Sequence, residues 1–121
     1  MKSNPFEAQV RTADGAATID LQGEINAFAE PALTVAYQRA EEINPGTIIL
    51  NFSEVTYINS TGIALIVGLL AQARKSRRKL VVFGLSDHYV EIFQITRLAD
   101  FMAIYADESS ALASAGKDEV S

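Results

Sequence analysis

Asn59-Ser60-Thr61-Gly62 sets two hydroxyls and an amide directly before the most apolar run of the chain, Gly62 to Ala71 (GIALIVGLLA). The pattern reads as a helix start, where a side-chain oxygen satisfies one of the first free N–H groups, and Ser60 is the expected cap. Helix N-termini also carry a partial positive charge, so the same place favours a phosphate. Gly62 removes side-chain bulk beside Ser60. From the residues alone, Ser60 is either a plain N-cap or part of an anion-accepting helix start.

Other chemistries are excluded. With no cysteine there is no thiol catalysis, zinc–thiolate site, iron–sulfur cluster or disulfide scaffold. A single histidine, His88, cannot build a multi-histidine metal site. It lies beside the start of an expected helix and reads as an exposed or capping residue. No GxGxxG, Walker-type loop or GxSxG elbow is present. Phosphoryl chemistry on an aspartate at a strand end is also disfavoured, because the TIILNF strand ends in Asn51-Phe52-Ser53. An amide neither accepts phosphate in that way nor binds magnesium strongly. No catalytic residue, cofactor or metal site is expected.

The elements that must position Ser60 can be read from hydrophobic period. Phe6 to Thr12 and Ala17 to Ile25 alternate with period two around Asp14-Gly15, a β-hairpin. Glu30-Pro31 opens a helix to Ile43 with Leu33, Ala36, Tyr37 and Ala40 at helical spacing, and Asn44-Pro45-Gly46 stops it. Thr47–Phe52 is a buried strand, followed by a short extended stretch, Val55–Ile58, and the long helix from the tetrad to Arg74. Leu80–Leu85 is a further buried strand. Asp87–Leu98 is a helix capped by Ser86 or Asp87, with Val90, Phe93 and Leu98 inward. Phe101–Tyr105 is a last short strand and Glu108–Ala115 a last helix. The order β-β-α-β-α-β-α-β-α demands an α/β fold: a small, mixed but mostly parallel sheet with helices packed on it.

Length and charge agree with one domain. The chain has 121 residues, 49% hydrophobic and 21% charged, which suits a single core over about residues 6–115 with a frayed tail from Gly116 to Ser121. Ten Lys+Arg against fifteen Asp+Glu give a net charge of −5, a poor balance for nucleic acid. Met1-Lys2-Ser3-Asn4-Pro5 leads into no apolar stretch, so no secretory signal is expected. The GIALIVGLLA run falls well short of the roughly 20 residues that span a bilayer. A soluble cytoplasmic protein without direct membrane insertion is the expectation.

On the long helix, Ile63, Ile66, Val67 and Leu70 form one stripe expected to face the sheet. Leu65 and Leu69 are expected to point away from it, on the side of Thr61, Gly68 and Gln72, and so to offer a partner surface. The basic run Arg74, Lys75, Arg77, Arg78 and Lys79 complements a helix C-terminus, with docking to an acidic partner as the alternative.

Three segments carry a family resemblance: Leu21-Gln22-Gly23-Glu24-Ile25-Asn26; Ile49–Ser53 with Val55–Gly62; and Leu80–Leu85 followed by Val90, Phe93 and Thr96-Arg97-Leu98. From Phe6 to about Ala115 the chain resembles the STAS domain, specifically the single-domain anti-sigma factor antagonists of bacteria. The resemblance implies a STAS-type fold and a protein-binding switch without catalysis of its own. It implies phosphorylation at Ser60, flanked by Asn59, Thr61 and Gly62, by an anti-sigma factor that is also an ATP-dependent serine kinase. It also implies a metal-dependent serine phosphatase that reverses the modification; the partner surface is expected to include Asn26, Leu65, Leu69 and Gln72. The family usually has Asp where Asn26, Asn51 and Asn59 stand, which bears on how a kinase would meet Ser60; Thr61 is a second hydroxyl. Two other roles fit the same fold: an accessory subunit of a membrane lipid transporter, and a scaffolding STAS protein, both without a phosphoswitch.

Overall fold

Alternating side chains and the left-handed Asp14-Gly15 turn produce a hairpin of β1 (Glu7–Ala13) and β2 (Ala16–Ile25). The computed structural model describes residues 5–116, and every later strand runs parallel to β2. Helix α1 (Glu30–Glu42) leads to β3 (Thr47–Ile58), α2 (Ser60–Lys75) to β4 (Lys79–Phe83), and α3 (Asp87–Ile95) to β5 (Ala103–Tyr105). Helix α4 (Glu108–Gly116) closes the described chain. The strands lie in the sheet in their order along the sequence, β1-β2-β3-β4-β5, with only β1–β2 antiparallel. This is the mixed, mostly parallel α/β architecture that the sequence predicts.

The sheet is covered on both faces. On one, Ile19, Leu21, Ile48, Leu50 and Val82 meet Leu33 and Tyr37 of α1, Ile66 and Leu70 of α2 and Phe93 of α3. Phe93 is fully buried and stands edge-on to Phe52, ring centroids 6.0 Å apart. On the other face Ile49, Val81 and Phe83 pack against Ala111 of α4. Continuous burial from Thr47 to Leu50 reflects this double cover.

Several boundaries differ from the sequence reading, each for a local reason. Residues 47–58 form one strand rather than two stretches, because irregularities between Asp20 and Gln22 and between Gly23 and Glu24 keep β2 in register with it. A 3₁₀ turn, Ala27–Ala29, joins β2 to α1; Asn26 caps it by accepting from the Phe28 N–H at 2.9 Å. Helix α3 stops at Ile95 rather than Leu98: Thr96 Oγ1 donates back to the Ile92 carbonyl and Arg97 takes a left-handed conformation, φ 69°. Its cap is Ser86, which accepts from the Tyr89 N–H. Of the tail expected over Gly116–Ser121, Gly116 belongs to α4 and the rest lies outside the described residues, as does most of the N-terminal stretch read for a signal.

Beyond α4 the second face holds a polar cluster. Arg11 donates to both carboxylate oxygens of Asp20, at 2.6 and 2.9 Å, and to Glu108 at 3.0 Å, tying β1 and β2 to the start of α4. The Arg11 hydrogen bonds hold the Asp20 carboxyl below its ordinary range, against desolvation, with help from the Asn51 amide. A depressed folded-state pKa adds stability above the unfolded-state value, and that stability is lost as pH falls through the folded value. Asp20→Asn is therefore expected to destabilise at neutral pH. Its difference from wild type should shrink as pH drops below about 4, measured by urea denaturation at several pH values. A difference that stays constant with pH would rule out this linkage.

Candidate functional site

The parallel pairing of Ile25 with Ile58 ends β2 and β3 side by side, so Asn26 and Asn59 leave the sheet together at its C-terminal end. Chain closure there is tight. The Asn59 N–H donates to the Ile25 carbonyl at 3.2 Å, and a Cβ on Gly62 would lie 2.1 Å from that same oxygen. Glycine is required at 62 because backbone, not a movable side chain, occupies the space.

The cap of α2 is Asn59, not Ser60. Asn59 has extended backbone, and its Oδ1 accepts from the Gly62 N–H at 2.8 Å while its carbonyl accepts from the Ile63 N–H at 2.9 Å. Ser60 is thereby the first helical residue, exposed, and its hydroxyl has no hydrogen-bond partner among the described residues. Thr61 beside it is also exposed. The shift by one residue frees Ser60 from a structural task. It places a free hydroxyl on the first turn of α2, where unpaired N–H groups and the helix dipole stabilise added negative charge.

Helix α2 is also rotated from the expected orientation. Its buried residues are Gly62, Ile66, Leu69, Leu70 and Ala73, a stripe turned by roughly 60° at about 100° per residue. Leu69, expected outside, is 9% exposed and in the core, whereas Val67, expected inside, is 45% exposed. Gly62 sits close against the Ile25 carbonyl, which fixes that side of the helix on the strand ends, and Leu69 joins the core cluster that holds Leu33 and Tyr37 of α1. Leu65 and Gln72 line an open groove with Leu33, Tyr37 and Gln38 of α1; Leu65 is half-buried and Gln72 exposed. The surface in line with Ser60 is Ala64, Val67, Gly68 and Ala71, all exposed and small or apolar. Phe28, on the turn that follows Asn26 and packs against α2, is 91% exposed. Phe28 and Val67 are surface residues that sequence reasoning missed. An aromatic two residues past a polar strand end was the available signal for Phe28; for Val67 the sequence held none.

The three asparagines have distinct duties. Asn26 and Asn59 act through their side-chain oxygens as caps, a task aspartate performs equally well. Asn51 does more: its amide nitrogen donates to Asp20 at 2.7 Å, and its oxygen accepts from the Ser53 N–H and hydroxyl. A carboxylate at 51 could not donate and would face Asp20 with like charge, so asparagine there is coupled to Asp20.

Tyr89 of α3 holds the strand end from the other side. Its hydroxyl accepts from the Ile58 N–H at 2.9 Å and lies 3.4 Å from the Ile58 carbonyl. Tyr89→Phe would leave a part-buried N–H unpaired, an expected loss of about 1–3 kcal/mol. Chemical denaturation checks this; unchanged stability would show that water replaces the hydroxyl. His88 is exposed, its ring 4.8 Å from that of Tyr89. Among the described residues no group of three or more His, Cys, Asp or Glu could hold a metal ion, and no helix is long and apolar enough to cross a membrane.

The basic run lies at the other end of α2, and three of its members have structural partners. Arg78 donates to the Pro45 carbonyl at 2.7 Å and Lys79 to the Ser114 carbonyl at 3.0 Å. The Arg74 guanidinium sits 5.5 Å above the Phe101 ring. These contacts, with the helix C-terminus, account for much of the cluster without an acidic partner.

A five-stranded, mostly parallel sheet in this order, with an exposed serine on the first turn of the helix after its central strand, defines a small α/β domain. The STAS domain model matches residues 7–111, and the chain belongs to that family. It is 34% identical over 87 residues to an anti-sigma-B factor antagonist of Listeria monocytogenes, covering 71% of this chain and 75% of that protein. Its fold matches the crystal structure of an anti-sigma factor antagonist from Mycobacterium paratuberculosis, with TM-score 0.82 and 19% identity over 93% of this chain and 96% of that one. It also matches the Bacillus cell fate determinant SpoIIAA in its phosphorylated form, with TM-score 0.67 and 22% identity over 88% of this chain and 96% of that one.

Proposed function

We propose that this STAS domain is an anti-sigma factor antagonist, a non-enzymatic binding switch controlled by phosphorylation of Ser60. The observation that carries the reading is the free, exposed hydroxyl of Ser60 on the first turn of α2, with Asn59 taking over the cap. The Listeria relative is named an anti-sigma-B factor antagonist, and a protein of this fold has been solved phosphorylated. Both support the reading. The partner is an anti-sigma factor with ATP-dependent serine kinase activity, and a metal-dependent serine phosphatase reverses the step, all in the cytoplasm. Docking uses the α2 surface beside Ser60, with Val67, Leu65 and Gln72, and the Asn26–Phe28 turn; Leu69 supports that surface from the core. A phosphate there adds about −1.5 to −2 charges to an apolar contact, which then fails through desolvation cost.

The test is incubation with the cognate kinase and ATP, followed by mapping of the phosphate by mass spectrometry. Modification at Ser60 is expected. Modification only at Thr61 or elsewhere would sink the acceptor assignment, and recovery of transporter subunits in place of a kinase in a pull-down would favour the accessory-subunit role. The surface has its own test. Val67→Asp should abolish partner binding with the fold intact, since Val67 is 45% exposed. Leu65→Asp should weaken binding and also cost some stability, because Leu65 is half-buried against the core. Normal binding by both variants would place the interface elsewhere.

A further inference from the structure

Strand β1 forms one edge of the sheet, paired to β2 on one side and to no strand on the other among the described residues. Protein edges are usually guarded by charged side chains, lysine above all, by proline, by a bulge or by a covering element. β1 is seven residues long, without proline or lysine; its two charged residues are the oppositely charged Glu7 and Arg11, and its register with β2 is unbroken. Next to it lies an apolar groove, lined by Ala8 and Val10 of β1 and by Pro31, Ala32 and Val35 of α1, with Arg39 beside them. Val35 is 47% exposed there.

We infer that the occupant of this edge is a second copy of the chain, the two β1 strands pairing antiparallel about a two-fold axis into one continuous sheet. The surface is self-complementary, as an isologous contact requires. With the axis at Gln9, Glu7 of each copy falls opposite the second copy's Arg11, and Ala8 falls opposite Val10. Arg11 spends three of its five N–H donors on Asp20 and Glu108, so two remain for a further carboxylate. The groove residues of β1 are centred on Gln9 and those of α1 on Val35, so one axis serves both elements. Across it the two α1 helices run antiparallel. Val35 then approaches its own copy, and Arg39 approaches the end of the second helix that carries Glu30. Helix α2 packs over β2, β3 and β4, so a dimer formed along the outer edge of β1 leaves both Ser60 hydroxyls accessible. The inference does not depend on the proposed phosphoswitch.

The chain has no cysteine, so a single introduced thiol reports cleanly. Under mild oxidation Gln9→Cys should convert to a disulfide-linked dimer, because residues opposite each other on antiparallel strands lie within disulfide reach. Glu91→Cys, on the exposed face of α3, should stay monomeric. In sedimentation equilibrium Val35→Asp and Glu7→Arg should each raise the dimer Kd by about tenfold or more, with wild-type circular dichroism. A wild-type protein that remains monomeric up to about millimolar concentration would overturn the inference, since that Kd corresponds to only about 4 kcal/mol. So would crosslinking of Gln9→Cys no faster than Glu91→Cys, or a dimer indifferent to both surface substitutions.

Discussion

Ser60→Asp should lose partner binding while Ser60→Ala keeps it. The hydroxyl makes no hydrogen bond among the described residues, and Asn59 alone caps α2, so removing it leaves the helix start unchanged. An aspartate at 60 sets a carboxylate in line with Ala64, Val67, Gly68 and Ala71, an apolar surface with no cation of its own. Burying that charge without a partner costs about 2–5 kcal/mol, a loss of roughly 30-fold or more in affinity. One carboxylate imitates only part of a phosphate's charge, so the phosphorylated protein should bind more weakly still. Calorimetric titration of wild type, both variants and the phosphorylated protein against the partner decides the matter. If Ser60→Asp binds like wild type, the charge switch is wrong. Asn59→Asp supplies an internal check: it should change stability by no more than the roughly 0.3–1 kcal/mol that a first-turn carboxylate gains from the helix dipole, while speeding phosphorylation of Ser60.

Gly62→Ala should be among the most damaging conservative substitutions in the chain. Alanine normally favours a helix over glycine by about 1 kcal/mol, so propensity alone predicts a gain. Geometry reverses the sign, because the new Cβ would stand 2.1 Å from the Ile25 carbonyl oxygen and 2.9 Å from Ile58 Cγ2. Neither β2 nor β3 can retreat without breaking the Asn59–Ile25 bond and the Tyr89 contact to Ile58. Overpacking of this kind costs about 1–3 kcal/mol and sometimes more. Thermal or urea denaturation measures it, with Gly68→Ala as the control, since nothing lies within 4 Å of a Cβ there. Equal behaviour of the two variants would show that α2 is not seated as described. A destabilised Gly62→Ala should also lose partner binding, because the turn that presents Ser60 is the part that must move.

The order of strands and helices, the hairpin, the buried character of Thr47–Leu50 and the location of the Asn-Ser-Thr-Gly helix start were all legible in the sequence. Period-two and period-3.6 patterns and turn residues are local properties, and the parallel sheet follows from the alternation of elements. What the sequence did not contain was the rotation of α2 and the identity of its cap. Both are decided where β2, β3 and α2 meet. The Ile25 carbonyl leaves room only for glycine at 62, Leu69 joins the core while Val67 stays outside, and the cap falls to Asn59. The roles of Asn51 and Tyr89 were hidden for the same reason, since their partners, Asp20 and Ile58, are each 31 positions away along the chain. Short-range pattern thus determined which elements form. Contacts between residues distant in sequence decided which hydroxyl is free and which face of its helix is left exposed.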